Sequence, residues 1–241
     1  MVVDLFIPCF VDQLYPDVAF NMVKVLEKVG CTVHYNPAQT CCGQPAYNAG
    51  YFKDAQEVAE KFLDDFSTQN RYIVSPSASC VGMVCNGYES LFSNSLKRTH
   101  YQSIKSKIHE FSDFLVNVLG IEKIEGSKLH GIATYHDSCS ALRECGIREE
   151  PRKLLRNVEG LELREMAETD QCCGFGGTFA TKFEAISVGM TELKIEKAQA
   201  VEPDFLVSTD ASCLLQYSSV MEKQGIGIKT MHLADVLASG W

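Results

Sequence analysis

The sequence predicts an α/β protein made of two similar Rossmann-like βαβαβ lobes with parallel sheets, related by internal duplication. Segments rich in β-branched and aromatic residues alternate with segments in which apolar residues recur at helical spacing. The same order of segments and the same arrangement of cysteines occur in both halves of the chain. Strands that alternate with helices favour parallel sheets with both faces covered. We expect a first lobe with a helical connector at residues 1–125 and a second lobe at residues 126–241.

The first half contains three predicted strands and a long helical region. In chain order it has a strand at 2–7, a helix ending at Gly30, a strand at 32–36, a helix over 52–66 and a strand from Tyr72. Residues 86–127 are predicted to be mainly helical, because apolar residues from Ile104 to Leu119 recur at spacings of three and four. This region is neither Pro-rich nor of low complexity, so we expect the lobes to pack against each other.

The second half repeats the order. It has a strand from Gly131, a helix near 140–157, a strand at 161–166, a helix from Phe179 to Leu193, a strand at 204–209, a helix after Cys213 and a strand at 227–232. The last strand has no predicted counterpart in the first half.

Composition limits the function classes. Hydrophobic residues make up 46% of the 241 residues, which is enough for a substantial core. The net charge of −9 argues against nucleic acid as a partner, because phosphate binding needs a basic face. The apolar stretch 114–121 falls well short of the roughly 18 residues of a membrane span. Asp4 interrupts the first apolar segment, which favours a strand over a signal peptide, so we expect a cytoplasmic location.

Eleven cysteines need an explanation in such a chain. In a reducing compartment, metal binding or thiol chemistry is favoured over a disulfide framework. Eight cysteines recur twice in the order C, CC, C at nearly equal gaps: Cys9, Cys41, Cys42 and Cys80, then Cys139, Cys172, Cys173 and Cys213. The remaining three, Cys31, Cys85 and Cys145, have no partner in the opposite half and are interpreted as buried thiols.

The eight recurrent cysteines all follow predicted strands. Ligands of open parallel sheets bind at the carboxyl ends of the strands, where helix N-termini also stabilise thiolates. Gly43 and Gly174 follow the cysteine pairs, allow a sharp turn and are candidates for contact with a cofactor. Adjacent cysteines cannot easily fill two corners of a tetrahedral zinc site, whereas they can reach different iron atoms of a cluster. A vicinal disulfide would leave the flanking cysteines unexplained.

The duplicated C…CCG…C pattern resembles the CCG cysteine-rich domain family. The segments that carry the resemblance are "IPCFVDQLYP", "CCGFGG" and "STDASC". The family includes the heterodisulfide reductase B subunit, the iron–sulfur subunits of glycolate and anaerobic glycerol-3-phosphate dehydrogenases, and the lactate utilization protein A group. This chain looks most like the last group.

The resemblance implies an iron–sulfur electron carrier in the oxidation of L-lactate to pyruvate. Its partners would be a ferredoxin-like iron–sulfur subunit and a third small subunit. By position, the eight recurrent cysteines would hold iron–sulfur clusters, expected as one [4Fe–4S] per lobe. The "GFGG" segment lacks the dinucleotide fingerprint, so no NAD or flavin is expected. The alternatives are a metal-bound scaffold for protein binding, or a redox subunit of the heterodisulfide, glycolate or glycerol-3-phosphate type. Whether the chain alone is an enzyme stays open.

One departure from the heterodisulfide reductase B pattern concerns a fifth ligand. In that relative, the last ligand belongs to a C-x-x-C pair, whereas here Met83 and Gln216 stand three residues after Cys80 and Cys213. We therefore do not expect disulfide-cleaving chemistry. Cys85 and Cys145 are the candidates for a fifth ligand.

His136 and Asp137 immediately precede the Cys139 loop. They are candidates for a proton relay beside the cluster, since a histidine titrates near neutral pH. In the alternative interpretation, Asp137 caps the following helix and His136 forms a hydrogen bond within the loop.

Overall fold

The first lobe is a four-stranded parallel sheet covered by helices. The computed structural model describes residues 1–66, 71–93 and 96–241. The strands are β1 (Val2–Leu5), β2 (Thr32–Tyr35), β3 (Tyr72–Ser75) and β4 (Ile108–Glu110), in the order β2-β1-β3-β4. The helices are α1 (Cys9–Leu14), α2 (Pro16–Lys28), α3 (Gln44–Asn48), α4 (Phe52–Asp65), α5 (Ala78–Gly82), α6 (Tyr88–Leu91), α7 (Arg98–Lys105) and α8 (Phe111–Asp113), with π-helical segments at Met83–Gly87 and Phe114–Val118.

The second lobe has the same topology. Its strands are β5 (Lys128–Tyr135), β6 (Glu159–Leu163), β7 (Phe205–Ser208) and β8 (Lys229–His232), in the order β6-β5-β7-β8. Its helices are α9 (Cys139–Arg143), α10 (Glu149–Arg156), α11 (Thr178–Lys182), α12 (Glu184–Gln199), α13 (Ala211–Gln224) and α14 (Leu233–Leu237). All strand pairs in both sheets are parallel, which confirms the predicted fold class and internal duplication.

Equivalent backbone hydrogen bonds fix the correspondence between the lobes. The amide of Phe6 donates to the carbonyl of Val74 at 3.0 Å, and the amide of His136 donates to the carbonyl of Val207 at 2.9 Å. In each lobe this bond joins the residue after the central strand to the neighbouring strand. Phe6 and His136 therefore occupy the same position, three residues before the first cysteine of each lobe.

The region between the lobes differs from its prediction at one place. Residues 108–110 form strand β4, where Ile108 pairs with Ile73, although the apolar spacing predicts a helix there. A three-residue strand is too short to show an alternating pattern, and Ile108 is buried in the same cluster as Ile104, as the helical spacing also required. The first lobe thereby gains the fourth strand that the sequence predicts only for the second.

Two helices predicted as continuous are each divided in two. The helix expected near 140–157 breaks between α9 and α10, where Gly146 has φ +69°. The helix from Phe179 to Leu193 breaks at Phe183, which separates α11 from α12. Each break leaves a short helix near a cysteine: α9 begins at Cys139 as α1 begins at Cys9, and α11 follows the second cysteine pair as α3 follows the first.

The lobes share one hydrophobic core. Met22 and Leu26 of α2 belong to the same buried cluster as Val236 and Leu237 of α14. Asn21 of α2 also donates to the Asp235 carboxylate at 2.8 Å. Among the helices in the described ranges, we find none with the length and apolar character needed to span a bilayer.

Candidate metal centre

All eight recurrent cysteines line a single cavity of about 330 Å³ between the lobes. The carboxyl ends of β1, β2 and β3 lead into the loops and helices that carry the first four, and those of β5, β6 and β7 lead into the second four. The cysteines are thus brought together by parallel strand order, as expected for this sheet edge.

The first quartet consists of Cys9, Cys41, Cys42 and Cys80. The sulfurs of Cys9 and Cys41 are 3.6 Å apart. Cys41 also contacts the Cys42 thiol, which in turn contacts Cys80, so the four thiols form a continuous chain. Cys9 is exposed at one end of the chain, and Cys42 and Cys80 are buried at the other.

The second quartet repeats this arrangement with Cys139, Cys172, Cys173 and Cys213. Cys139 contacts Cys172, and Cys172 contacts its neighbour Cys173. The sulfurs of Cys173 and Cys213 are 3.0 Å apart. Both thiol sets predicted from the sequence therefore exist as connected groups.

The glycine after each cysteine pair turns the backbone toward the sulfur. Gly43 and Gly174 have φ values of +81° and +90°. Their amides donate to the Cys41 sulfur at 3.4 Å and to the Cys172 sulfur at 3.5 Å. A Cβ on Gly174 would lie 2.4 Å from the carbonyl oxygen of Ser187, so α12 leaves no room for a side chain there. These amides give each loop a fixed donor to an anionic sulfur.

In each quartet, the neighbouring thiols lower the pKa of the first cysteine of the adjacent pair. Hydrogen bonds from Cys42 and Cys9 lower the pKa of Cys41 to about 3. Hydrogen bonds from Cys139 and Cys173 lower the pKa of Cys172 to about 2. The lowered pKa favours the thiolate form of the first cysteine in each adjacent pair, and the thiolate is the form that binds metals.

The donor set fits an iron–sulfur cluster or another thiophilic metal centre. Each quartet offers four sulfur donors, the ligand count of a [4Fe–4S] cluster, and soft thiolates favour iron–sulfur clusters, zinc or copper(I) over hard cations. Cys173 and Cys213 also lie with His136 in a group whose ligand atoms are all within 4.8 Å of one another. The described part of the cavity thus favours metal binding.

His136 is fully buried beneath the second quartet. Its Nδ1 lies 3.2 Å from the hydroxyl of Tyr217, whereas its Nε2 has no hydrogen-bond partner among the described residues. Burial lowers the pKa of His136 to about 3, so the ring is neutral. The alternative interpretation expected the His136 ring to form a hydrogen bond within its own loop. The ring instead pairs with Tyr217 of helix α13.

Asp137 does not cap the following helix. The cap is Ser138, whose hydroxyl accepts from the amide of Ala141 at 3.2 Å. Asp137 instead receives two hydrogen bonds of 2.8 Å from the guanidinium of Arg152, and this ion pair lowers its pKa despite burial. The paired hydrogen-bond geometry explains the difference, since a bidentate guanidinium satisfies both carboxylate oxygens at once. The proton relay stays a prediction.

Asp210 joins the cysteine loops of the two lobes and was missed by the sequence analysis. Its carboxylate accepts from the amide of Ser79 at 3.1 Å, from the hydroxyl of Ser79 at 2.8 Å and from the hydroxyl of Ser138 at 3.1 Å. Asp210 is buried, and burial raises its pKa. The available signal was the substitution of an acid for Ser77 in the matching "SPSASC" and "STDASC" segments.

The three unpaired cysteines lie outside the lining of the cavity. Cys31 is buried in the shared core, which confirms its interpretation. Cys85 lies in the Met83–Gly87 π-helical segment, and the Cys145 thiol contacts the carbonyl of Ala78 at 3.5 Å. Burial raises the pKa of Cys85 and Cys145, which disfavours the thiolate form. A fifth-ligand role for these two remains a prediction.

Comparison with known proteins identifies the family. The family described as the CCG cysteine-rich domain matches residues 3–85 and 133–218. The chain is 42% identical over 240 residues to Lactate utilization protein A of Geobacillus sp. (strain WCH70), covering 99% of this chain and all of the relative. It is 42% identical over 237 residues to Lactate utilization protein A of Halalkalibacterium halodurans, covering 98% of this chain and 96% of the relative.

A solved structure shares the fold. The crystal structure of a hypothetical protein from Helicobacter pylori matches with a TM-score of 0.61 at 14% identity, covering 99% of this chain. The chain spans 48% of that protein's length. From the matched domains and the full-length relatives, we conclude that the chain belongs to the CCG cysteine-rich domain family, in the group of the Lactate utilization protein A sequences.

Proposed function

We propose that the protein is an iron–sulfur electron-transfer subunit of an oxidoreductase complex that converts L-lactate to pyruvate. The observation that carries the proposal is the pair of four-thiol groups lining one cavity. The substrate is taken from the name of relatives that are 42% identical over nearly the whole chain.

Each lobe is proposed to hold one [4Fe–4S] cluster. Such a cluster, when bound, supplies a site that accepts and releases one electron at a time. Assembly would start at Cys41 and Cys172, because hydrogen bonds from neighbouring thiols lower their pKa and so favour the metal-binding thiolate form. The amides of Gly43 and Gly174 stabilise negative charge on these sulfurs. The apolar packing of Cys42 and Cys173 limits the access of water from behind.

The partners are proposed to be a ferredoxin-like iron–sulfur subunit and a third small subunit. The relatives are named for lactate utilization, which supports the proposal. The sequence predicts no flavin or nicotinamide site that would take electrons from lactate directly. The electron acceptor or donor for the thiol cavity would then be another chain. Such a partner would contact the first quartet at Cys9, because Cys9 is the exposed member of that quartet.

Metal analysis of cysteine variants tests the cluster assignment. The full chain, purified without oxygen, should be brown and contain iron and acid-labile sulfide in equal amounts. We expect C41S and C172S each to lose half of the iron, because each change removes the thiolate of one quartet. C31S is the matched control, since its thiol lies in the core, and it should retain all of the iron. If either quartet change empties both sites, the two-centre arrangement is wrong.

A zinc scaffold is the second candidate. The close group of His136, Cys173 and Cys213 offers nitrogen and two sulfurs to a single ion, which suits zinc as well as iron. A colourless protein that holds zinc and no sulfide after anaerobic purification would support the scaffold and rule out the electron-transfer role.

Growth on lactate tests the metabolic part of the proposal. A strain that lacks this chain should fail to grow with L-lactate as the only carbon source and should recover with the wild-type chain or with C31S. C41S and C172S should not restore growth. Affinity purification of the tagged wild-type chain from lactate-grown cells should recover the two partner subunits. Normal growth of the deletion strain on L-lactate would contradict the proposed substrate.

A further inference from the structure

The duplication has preserved the thiols of the two lobes but not the residues behind them. Phe6 and His136 are equivalent, as their backbone hydrogen bonds to the neighbouring strands show. Both side chains are fully buried. The first lobe therefore presents an apolar ring at the position where the second lobe has an imidazole.

A second pair of equivalent positions is also aromatic in the first lobe and polar in the second. A Cβ on Gly43 would approach the carbonyl of Ala55, and a Cβ on Gly174 would approach that of Ser187, so α4 and α12 lie in the same register behind the two cysteine loops. In this register Phe62 corresponds to Lys194, and both are buried. Phe62 packs edge-on against Phe6 with ring centroids 4.8 Å apart.

Lys194 is buried on α12, the helix that packs behind the second cysteine loop. Its ammonium donates to the carbonyl of Glu168, four residues before Cys172, and its charge acts on His136. Thr191, one turn earlier on α12, donates to the carbonyl of Cys173 at 2.8 Å. An aromatic pair in the first lobe is thus replaced by a cation and an imidazole in the second.

The Tyr217 hydroxyl pairs with Nδ1 of His136 and leaves Nε2 as the other ring nitrogen. A neutral imidazole has one N–H donor and one acceptor nitrogen. When the Tyr217 hydroxyl donates to Nδ1, the proton resides on Nε2, the nitrogen that lacks a partner among the described residues. A ring nitrogen of His136 lies within 4.8 Å of the sulfurs of Cys173 and Cys213. In the first lobe Val84 follows Cys80 by the four residues that separate Tyr217 from Cys213, and it has no hydroxyl.

We propose that His136, oriented by Tyr217 and assisted by Lys194, donates a hydrogen bond to the sulfurs of the second lobe's centre and gives that centre the more positive reduction potential of the two. The inference rests on the proposed function, because it requires a redox-active centre in each lobe. Hydrogen bonds to cluster sulfurs and nearby positive charge stabilise the reduced, more negative state. At the equivalent positions of the first lobe, the rings of Phe6 and Phe62 provide neither a hydrogen-bond donor to the sulfurs nor a positive charge. Electrons entering the protein would therefore come to rest in the second lobe.

Redox titration of the anaerobic full-length protein, followed by electron paramagnetic resonance, tests this assignment. We expect two midpoint potentials in the wild type, of which the more positive disappears in C172S and the more negative in C41S. H136F, which installs the first lobe's aromatic ring, should lower only the more positive potential. A tenfold change in the reduction equilibrium corresponds to about 59 mV for one electron. H136Q keeps a hydrogen-bond donor of similar reach, so its more positive potential should stay close to that of the wild type.

Two further changes keep the test decisive if H136F does not fold. Y217F removes only the hydroxyl that orients the ring and should lower the same potential by a smaller amount, and K194M should lower it as well. F6L alters the equivalent position of the first lobe and should leave the more positive potential unchanged. In the wild type, an exchangeable proton coupled to the second centre should be detected by electron–nuclear double resonance and should be lost in H136F.

The outcomes separate this inference from the proposed function. Absence of iron and sulfide from the wild type would refute the proposed function itself. Iron in both lobes with indistinguishable potentials, or potentials unaltered in Y217F and K194M, would refute only the inference. Loss of half the iron in H136F would also refute it, because His136 would then be a direct ligand.

Discussion

Replacement of Arg152 by methionine should cost the protein about 4 kcal/mol of unfolding free energy. Arg152 is 4% exposed, and all five of its guanidinium hydrogens have acceptors. Asp137 accepts two hydrogen bonds, Glu165 accepts two at 2.7 and 3.1 Å, and the carbonyl of Arg148 accepts one at 2.6 Å. The guanidinium also lies 5.0 Å from the ring centre of Tyr135.

The magnitude follows from what the substitution leaves behind. Methionine fills much of the space of the arginine stem, so the main cost is the Asp137 carboxylate, which is 1% exposed and would lose its cationic partner. Removal of one member of a buried ion pair costs about 3–5 kcal/mol. The double variant D137N/R152M removes both charges of the buried pair and should cost less unfolding free energy than R152M alone.

Urea denaturation followed by circular dichroism measures this difference, with all variants compared at equal iron content. R164M is the matched control, because Arg164 pairs with Glu162 and these side chains are 39% and 59% exposed. An exposed pair contributes below about 1 kcal/mol. A loss of less than 1 kcal/mol in R152M, or a double variant that is less stable than R152M, would refute the reasoning.

Three other predictions concern charge, backbone and the contact between the lobes. Burial raises the pKa of Glu110 to about 8, whereas its ordinary value is 4.5. Between these values the folded protein keeps a proton that the unfolded chain releases. The free energy of unfolding should therefore fall as the pH rises from 5 to 8. E110Q lacks this proton, and its stability relative to wild type should rise over the same range in urea titrations; a constant difference would contradict the pKa. G174A should lose about 2 kcal/mol or more of unfolding free energy and part of its iron, because Gly174 has a positive φ and a Cβ there would meet the Ser187 carbonyl. G189A in α12 is the control: a Cβ has free space there, and the variant should be more stable by about 0.5–1 kcal/mol. D210N points an amide NH2 group at the donors of Ser79 or Ser138 and should cost about 1–3 kcal/mol of unfolding free energy. Backbone hydrogen exchange at residues 77–80 should become faster. Unchanged exchange there would argue against a role of Asp210 in joining the cysteine loops of the two lobes.

The sequence was sufficient for the lobes and the thiols because these depend on local periodicity and on spacing. The alternation of strands and helices places every recurrent cysteine after a carboxyl end, and parallel pairing then brings them to one edge. The strand β4 was not predictable, since its three residues gain their conformation only by pairing with β3.

The surroundings of the thiols were harder to predict because they depend on contacts between distant segments. Asp137 stands in a loop where a helix cap is expected, and only the approach of Arg152 from α10 shows its actual partner. Asp210 contacts Ser79 across 131 positions of the chain. The equivalence of Lys194 and Phe62 needs the helix register behind the two glycines, which no motif records.

The shared core of α2 and α14 makes the two halves thermodynamically inseparable. Either half expressed alone would expose Met22 and Leu26, or Val236 and Leu237, to water. Such fragments should aggregate, and the intact chain should melt in one cooperative step. A destabilising substitution in either half should therefore lower the melting temperature of the whole protein.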